Sequence, residues 1–207
     1  MTRIALIGGG GFAKEVLELA KICKHKVVGY VSEKKGSIKA PYWGNIYKLK
    51  KNKILFDVVC VAFGCVDRQS VKNRKSVIKW LKQQGYKSIP LISPKAIISQ
   101  GVKVLPGSIV CHGATLHVDS KIKEFSIVNS NAIIGHDALI GENVTIAPAA
   151  FVGGNSKVGN NSLIGPGAII LEDRAVGSDV VLGMGGTVAR NIPNGSTVMP
   201  LRSTVIK

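Results

Sequence analysis

From Ile92 to Pro193 the chain repeats every six residues without a break in phase, giving seventeen hexads that each open on an aliphatic residue. The openers run Ile92, Ile98, Val104, Val110, Leu116, Ile122, Val128, Ile134, Ile140, Ile146, Val152, Val158, Ile164, Ile170, Val176, Leu182 and Val188. The fifth place of each hexad is mostly small, as at Ala96, Ser108, Ala114, Ser126, Ala132, Ala150, Ser162 and Ala168. A period of six matches neither a helical stripe nor a two-residue strand alternation. It matches a solenoid in which each hexad is one short flat side and three sides close a coil of eighteen residues. The openers then stack coil upon coil into one apolar column, and the small residues fit the narrow corners. Coils paired as parallel strands about 4.8 Å apart predict a prism of roughly 27 Å.

The first ninety residues follow another rhythm. Arg3–Ile7 reads as a strand, Gly8–Gly11 as a glycine loop, and Phe12–Ile22 as a helix with Val16, Leu19 and Ala20 on one face. Val27–Val31 and Phe56–Phe63 read as two further strands, and a second helix is expected from about Val66 to Gln84. Alternating strands and helices predict a small parallel sheet. The loops at Gly8–Gly11, Ser32–Glu33 and Gly64–Asp67 should then face one crevice at the carboxyl ends of the strands. The division expected is an α/β domain over 1–91, a parallel β-helix over 92–193, and a C-terminal cap over 194–207.

Charge separates the same two halves. Residues 1–91 hold 19 Lys and Arg against 5 Asp and Glu, whereas residues 92–207 hold 9 against 7. Such a field favours anionic partners, among them phosphorylated small molecules. The run Lys48, Lys50, Lys51 and Lys53 reads first as a basic loop. Nucleic acid is not expected, because Trp43, Trp80 and the few other aromatics form no stacking platform among the basic residues. No apolar run approaches the roughly 20 residues of a membrane helix. The N-terminus begins a strand rather than a signal peptide. Cys23, Cys60, Cys65 and Cys111 fit neither zinc nor disulfide spacings, which suggests a reduced cytoplasm.

Gly8-x-Gly10-x-x-Ala13 satisfies the dinucleotide fingerprint, in which glycines let the backbone approach a diphosphate at a helix N-terminus. Glu33 stands where that fingerprint expects an acid, but no separate domain is left for hydride chemistry. A plain tight turn uses the same glycines. Of the four histidines, His25 lies between lysines in a loop. His112 and His117 have the five-residue spacing of a zinc pair on a prism of this type, but the positions two coils away are Ser76, Pro148, Leu81 and Gly153. We therefore expect no metal. His136, third in its hexad, must point outward. One coil above it lies Gly154, which leaves space over the imidazole and offers an N–H, and Asp137 follows directly to orient the ring and raise its basicity. A surface histidine at a permissive corner remains the alternative on spacing alone.

The hexads, with Asn131–Gly141 around His136-Asp137 and the opening Gly8-Gly9-Gly10-Gly11-Phe12-Ala13-Lys14-Glu15, resemble the PglD/NeuD-like sugar acetyltransferases over essentially the whole chain. The resemblance implies a left-handed β-helix, a homotrimer with acetyl-coenzyme A between adjacent prisms, and a Rossmann-like domain holding the nucleotide of a nucleotide-linked sugar. It implies His136 as general base, Asp137 as its enhancer, and Gly154, Thr145, Pro166 and Met184 as cofactor-lining positions. Gly10, Gly11, Phe12, Ala13, Lys14, Ser32, Glu33 and Gly64 fall at the substrate positions. The chemistry implied is N-acetylation of a 4-amino-4,6-dideoxy sugar, with UDP as the expected nucleotide. A sugar O-acetyltransferase and a non-catalytic nucleotide-sugar-binding trimer are the alternatives. Three departures from the family pattern stand out: Cys65 after Gly64, Ser32 at the tip of the second strand, and Thr197-Val198-Met199-Pro200-Leu201-Arg202 at the C-terminus.

Overall fold

The structure is a computed structural model that describes residues 1–200; Leu201 and Arg202 of the unusual C-terminal turn, and the rest of 201–207, lie outside the described residues. The N-terminal unit comprises β1 (Arg3–Ile7), α1 (Gly11–Ile22), β2 (Lys26–Val31), β3 (Val58–Val61) and α2 (Arg68–Gln83). The three strands form one parallel sheet in the order β2-β1-β3. Apolar residues at helical spacing bury α1 against it through Ala13, Val16, Leu19 and Ala20. The start of α2 is set by Asp67, whose carboxylate accepts from the Ser70 N–H at 2.7 Å while Ser70 Oγ accepts from the Asp67 N–H. Such a reciprocal cap satisfies two otherwise unpaired donors.

Beyond it, eighteen two-residue strands from Leu91–Ile92 to Thr197–Val198 build a parallel β-solenoid of about six turns. Their three sheets contain seven, six and five strands. Partners are eighteen residues apart, as in Ile127 with Thr145 and Ile133 with Phe151. Openers from Val110 to Val188 form the central column, with Ile92 and Val104 packed at its end. Ile98 is the exception, being 40% exposed in the first coil. The small fifth-place residues beyond the partly buried Ala96 are buried, and the hydroxyls of the serines among them tie coils together. Ser126 Oγ donates to the Gly141 carbonyl at 2.6 Å and accepts from the Val144 N–H at 3.0 Å. Parallel pairing continues into Thr197–Val198, alongside Val181–Leu182, after a final coil two residues shorter than the rest.

The fourth place of many hexads has positive φ, mostly at Asn or Asp, the residues that tolerate it best. Phe125, at φ 55°, departs from that rule. Its ring lies under Lys82 Nζ and its carbonyl accepts from Arg74, so contacts with the N-terminal unit accompany the strained turn.

The N-terminal unit covers the first, seven-stranded face. Outward residues Leu91, Ile109 and Ile127, which a free prism would expose, are buried with α1. Each such side chain contributes roughly 1.5–3 kcal/mol. Arg74 completes the junction. Wholly buried, it donates through Nε to the Phe63 carbonyl and through Nη1 to the Phe125 carbonyl and to Asn143 Oδ1 at 2.7 Å. Arg68 reaches the far end of the prism, donating to the Asp179 carbonyl and to Thr197 Oγ1, each at 2.8 Å.

Candidate active site

His136 stands on the turn between Ile133–Ile134 on the second face and Leu139–Ile140 on the third, with its side chain 60% exposed. Its Nδ1 lies 2.9 Å from Asp137 Oδ2; in the neutral ring, with Nδ1–H donating to that carboxylate, Nε2 is free to accept a proton. The hydrogen bond to Asp137 is the main cause that holds the imidazole above its ordinary pKa, and the charges of Asp137, Glu172 and Asp173 add to it. The ring lies over Gly154 so closely that a Cβ there would come within 2.5 Å of Nε2. Among the described residues the Gly154 N–H has no backbone acceptor. The imidazole therefore stands beside a residue whose N–H is uncommitted.

A cavity of about 1120 Å³ opens elsewhere, between the first face and the carboxyl end of the N-terminal sheet. It is lined by Phe12 and Glu15 of α1, by the Gly64–Val66 loop, and by Thr145, Pro166, Met184 and Met199 among other solenoid residues. Arg74 and Arg68 fix two of its walls, since one holds the carbonyl of Phe63 just before the loop and the other holds the segment leading to Met199. The structure thus brings Phe12 and Gly64 together with Thr145, Pro166 and Met184, two groups that the sequence reading assigned to different ligands. His136, Asp137 and Gly154 lie one corner away, across the second face. Gly10 caps α1, and both it and Gly11 have open space where a side chain would be. Ala13 is wholly buried in the helix–sheet core, so any contact it makes with a ligand runs through its backbone. Lys14 and Glu33 are exposed. Ser32 lies against Gly9 and donates its hydroxyl to the Lys34 carbonyl.

Residues 3–81 match the family described as the PglD N-terminal domain. Over the whole chain, the acetyltransferase domain of PglB from Neisseria gonorrhoeae, solved with acetyl coenzyme A, is 31% identical, with 96% of each chain covered and a TM-score of 0.88. The chain belongs to the PglD/NeuD-like sugar acetyltransferases. PerB from Caulobacter crescentus, solved with CoA and GDP-perosamine, is 26% identical over 97% of this chain and 95% of its own, with a TM-score of 0.90. WeeI from Acinetobacter baumannii is 25% identical over 96% and 97%, with a TM-score of 0.81. No curated protein matches the chain in sequence.

Within this PglD/NeuD-like chain the remaining candidates have other surroundings. Ser93 Oγ accepts from the Lys95 N–H and shares a hydrogen bond with His112 Nδ1 at 2.6 Å. Among the described residues no three His, Cys, Asp or Glu side chains converge on a point that could hold a metal. All four cysteines are free, and burial pushes the thiols of Cys60 and Cys111 up to about 12, which leaves them unreactive near neutral pH. No described helix is long and apolar enough to cross a membrane. Sequence reasoning missed Glu15, Leu163 and Asn129 in the cavity wall, and Arg74 behind it. Leu163, like Ile127 and Thr145, immediately precedes an opener on the face that the N-terminal unit covers. Arg74 completes the stripe Val71, Ile78, Leu81 on α2, which places a cation where the pattern calls for an apolar residue.

Proposed function

We propose that the protein is an acetyl-coenzyme A-dependent N-acetyltransferase acting on the amino group of a nucleotide-linked sugar, with His136 as general base. The observation that carries this reading is the imidazole held by Asp137 over Gly154, whose N–H has no backbone acceptor among the described residues. The amine nitrogen attacks the thioester carbonyl, forming the N–C bond, and the C–S bond breaks as thiolate leaves. His136 Nε2 takes the proton from the nitrogen and returns one to the sulfur, so no acyl-enzyme is required. The Gly154 N–H faces the oxyanion, an interaction commonly worth about 3 kcal/mol.

The separation of His136 from the cavity supports a homotrimer. The second face lies between them and turns Ile97, Ile133, Phe151 and Ile169 outward, with Val118 and Leu171 at its edge; most of these are well exposed. Apolar faces of this kind associate with closed symmetry. Packing this face against a neighbour sets His136 of one protomer beside the cavity of the next. In this reading acetyl-coenzyme A runs past Gly154 in one protomer and Thr145, Pro166 and Met184 in its neighbour. The solenoid coils left-handedly. The Rossmann-like sheet holds the nucleotide at Gly10, Gly11, Phe12, Ala13, Lys14, Ser32, Glu33 and Gly64. The units follow the division at 91 and 193, and the enzyme works in the cytoplasm.

Coenzyme A release, followed with a thiol reagent, tests the reading against UDP- and GDP-linked 4-amino-4,6-dideoxy sugars. Release that depends on the amino sugar supports it. Release only with a sugar hydroxyl acceptor moves the enzyme to O-acetylation, and silence across the panel leaves a nucleotide-sugar-binding trimer.

A further inference from the structure

The amino end of the N-terminal sheet lies opposite the crevice and carries a surface that acetyl transfer does not use. Arg3 of β1 stands beside Lys26 of β2 in the sheet, and its guanidinium donates to the Ile54 carbonyl and to Asp57 just before β3. These contacts gather Met1, Lys24, Lys26, Lys53, Ile54 and Leu55 at one edge. Ile54 is 84% exposed and Leu55 44%, and Met1 is almost wholly exposed. Lys48, Lys50, Lys51 and Lys53 are all exposed on the same short segment. No Asp or Glu occurs between Glu33 and Asp57, and the Asp57 carboxylate is occupied by Arg3 at 2.7 Å.

We propose that this edge docks on an anionic lipid bilayer. Aliphatic side chains standing out among lysines fit the headgroup boundary, where apolar tips enter and ammonium groups meet lipid phosphates. A lysine near an anionic leaflet contributes about 1 kcal/mol, roughly a fivefold gain in partitioning. Lys24, Lys26, Lys51 and Lys53, with two inserted aliphatics, therefore support reversible peripheral binding. Nucleic acid fits the same charge less well, because Tyr47, 65% exposed, is the single exposed aromatic of the segment, and one ring makes no platform for successive bases. Since the glycine loop and the cavity lie at the other end of the sheet, the crevice stays open when the edge is docked.

The test is sedimentation of the full chain with phosphatidylcholine vesicles, with and without phosphatidylglycerol. The expected result is pelleting only with the anionic vesicles, weakened by salt. Ile54→Ser with Leu55→Ser should lower binding about tenfold, and Lys51→Glu with Lys53→Glu more than tenfold, both at unchanged melting temperature. These positions are exposed and outside the catalytic machinery, so acetyl transfer should be retained. Equal pelleting on neutral vesicles, no pelleting, or binding indifferent to the Ile54 and Leu55 replacements overturns the proposal. Tighter capture of a fluorescent oligonucleotide that depends on the lysines alone also overturns it and assigns the edge to nucleic acid.

Discussion

The imidazole of His136 lies over Gly154, one coil further along the solenoid, at a distance that no larger residue permits. Replacing Gly154 by alanine brings a Cβ within 2.5 Å of Nε2. The atoms in the way belong to the end of a largely exposed side chain, so the ring swings aside at little cost to the fold. We expect Gly154→Ala to reduce turnover at least tenfold while the melting temperature stays nearly constant. Unchanged turnover would detach Gly154 from the reaction.

Removing the base itself should act on the chemical step. His136→Ala is expected to lower kcat by roughly a hundredfold to ten-thousandfold, with modest change in KM. A mutant retaining full kcat would return His136 to the status of a surface residue.

Asp137 should reveal itself in the pH profile. As the proposed base, His136 would work as neutral imidazole, so turnover should fall as pH drops through its pKa. Asp137 is the main cause that holds this pKa above its ordinary value. Asp137→Asn should therefore shift the acid limb of kcat to lower pH and reduce the plateau, because a weaker base accepts the proton less readily. An acid limb that stays in place would show that another group controls it.

Arg74 sets the junction between the two units. Arg74→Met keeps most of the stem but leaves the Phe63 and Phe125 carbonyls and Asn143 Oδ1 without their donor. Losing a buried charge that faces no carboxylate offsets part of this, but unpaired buried acceptors cost about 1–3 kcal/mol each. The net expectation is destabilisation of about 3 kcal/mol in urea unfolding, together with a raised KM for the sugar nucleotide as the Gly64–Val66 loop loosens. Unfolding at wild-type denaturant would show that the junction holds without it.

The second face should govern assembly. Ile133→Asp with Ile169→Asp places two carboxylates on the apolar stripe. Light scattering should then report a monomer in place of a trimer, and activity should disappear although His136 and the cavity are untouched within each chain. An active monomer would show that one protomer completes the site alone.

What the sequence determined by itself was everything that depends on local spacing. The openers from Val110 to Val188 face the core because each flat side must turn an aliphatic residue inward, and β1, α1 and β2 lay within a residue of where their apolar patterns put them. The pairing of His136 with Asp137 was equally legible, since neighbours in one turn touch whatever the rest of the chain does. Tertiary structure decided which faces are covered. Ile109 and Ile133 occupy the same place in their hexads, yet Ile109 is buried under α1 and Ile133 is 37% exposed. A repeat treats its three faces alike, and only the docking of a non-repeating domain on one of them breaks that equivalence. The same docking buried Arg74 without a carboxylate, joined Phe12 and Gly64 to Thr145, Pro166 and Met184 in one cavity, and left His136 a face away. No spacing along the chain encodes these contacts, because they join residues 50 to 170 positions apart through packing between surfaces.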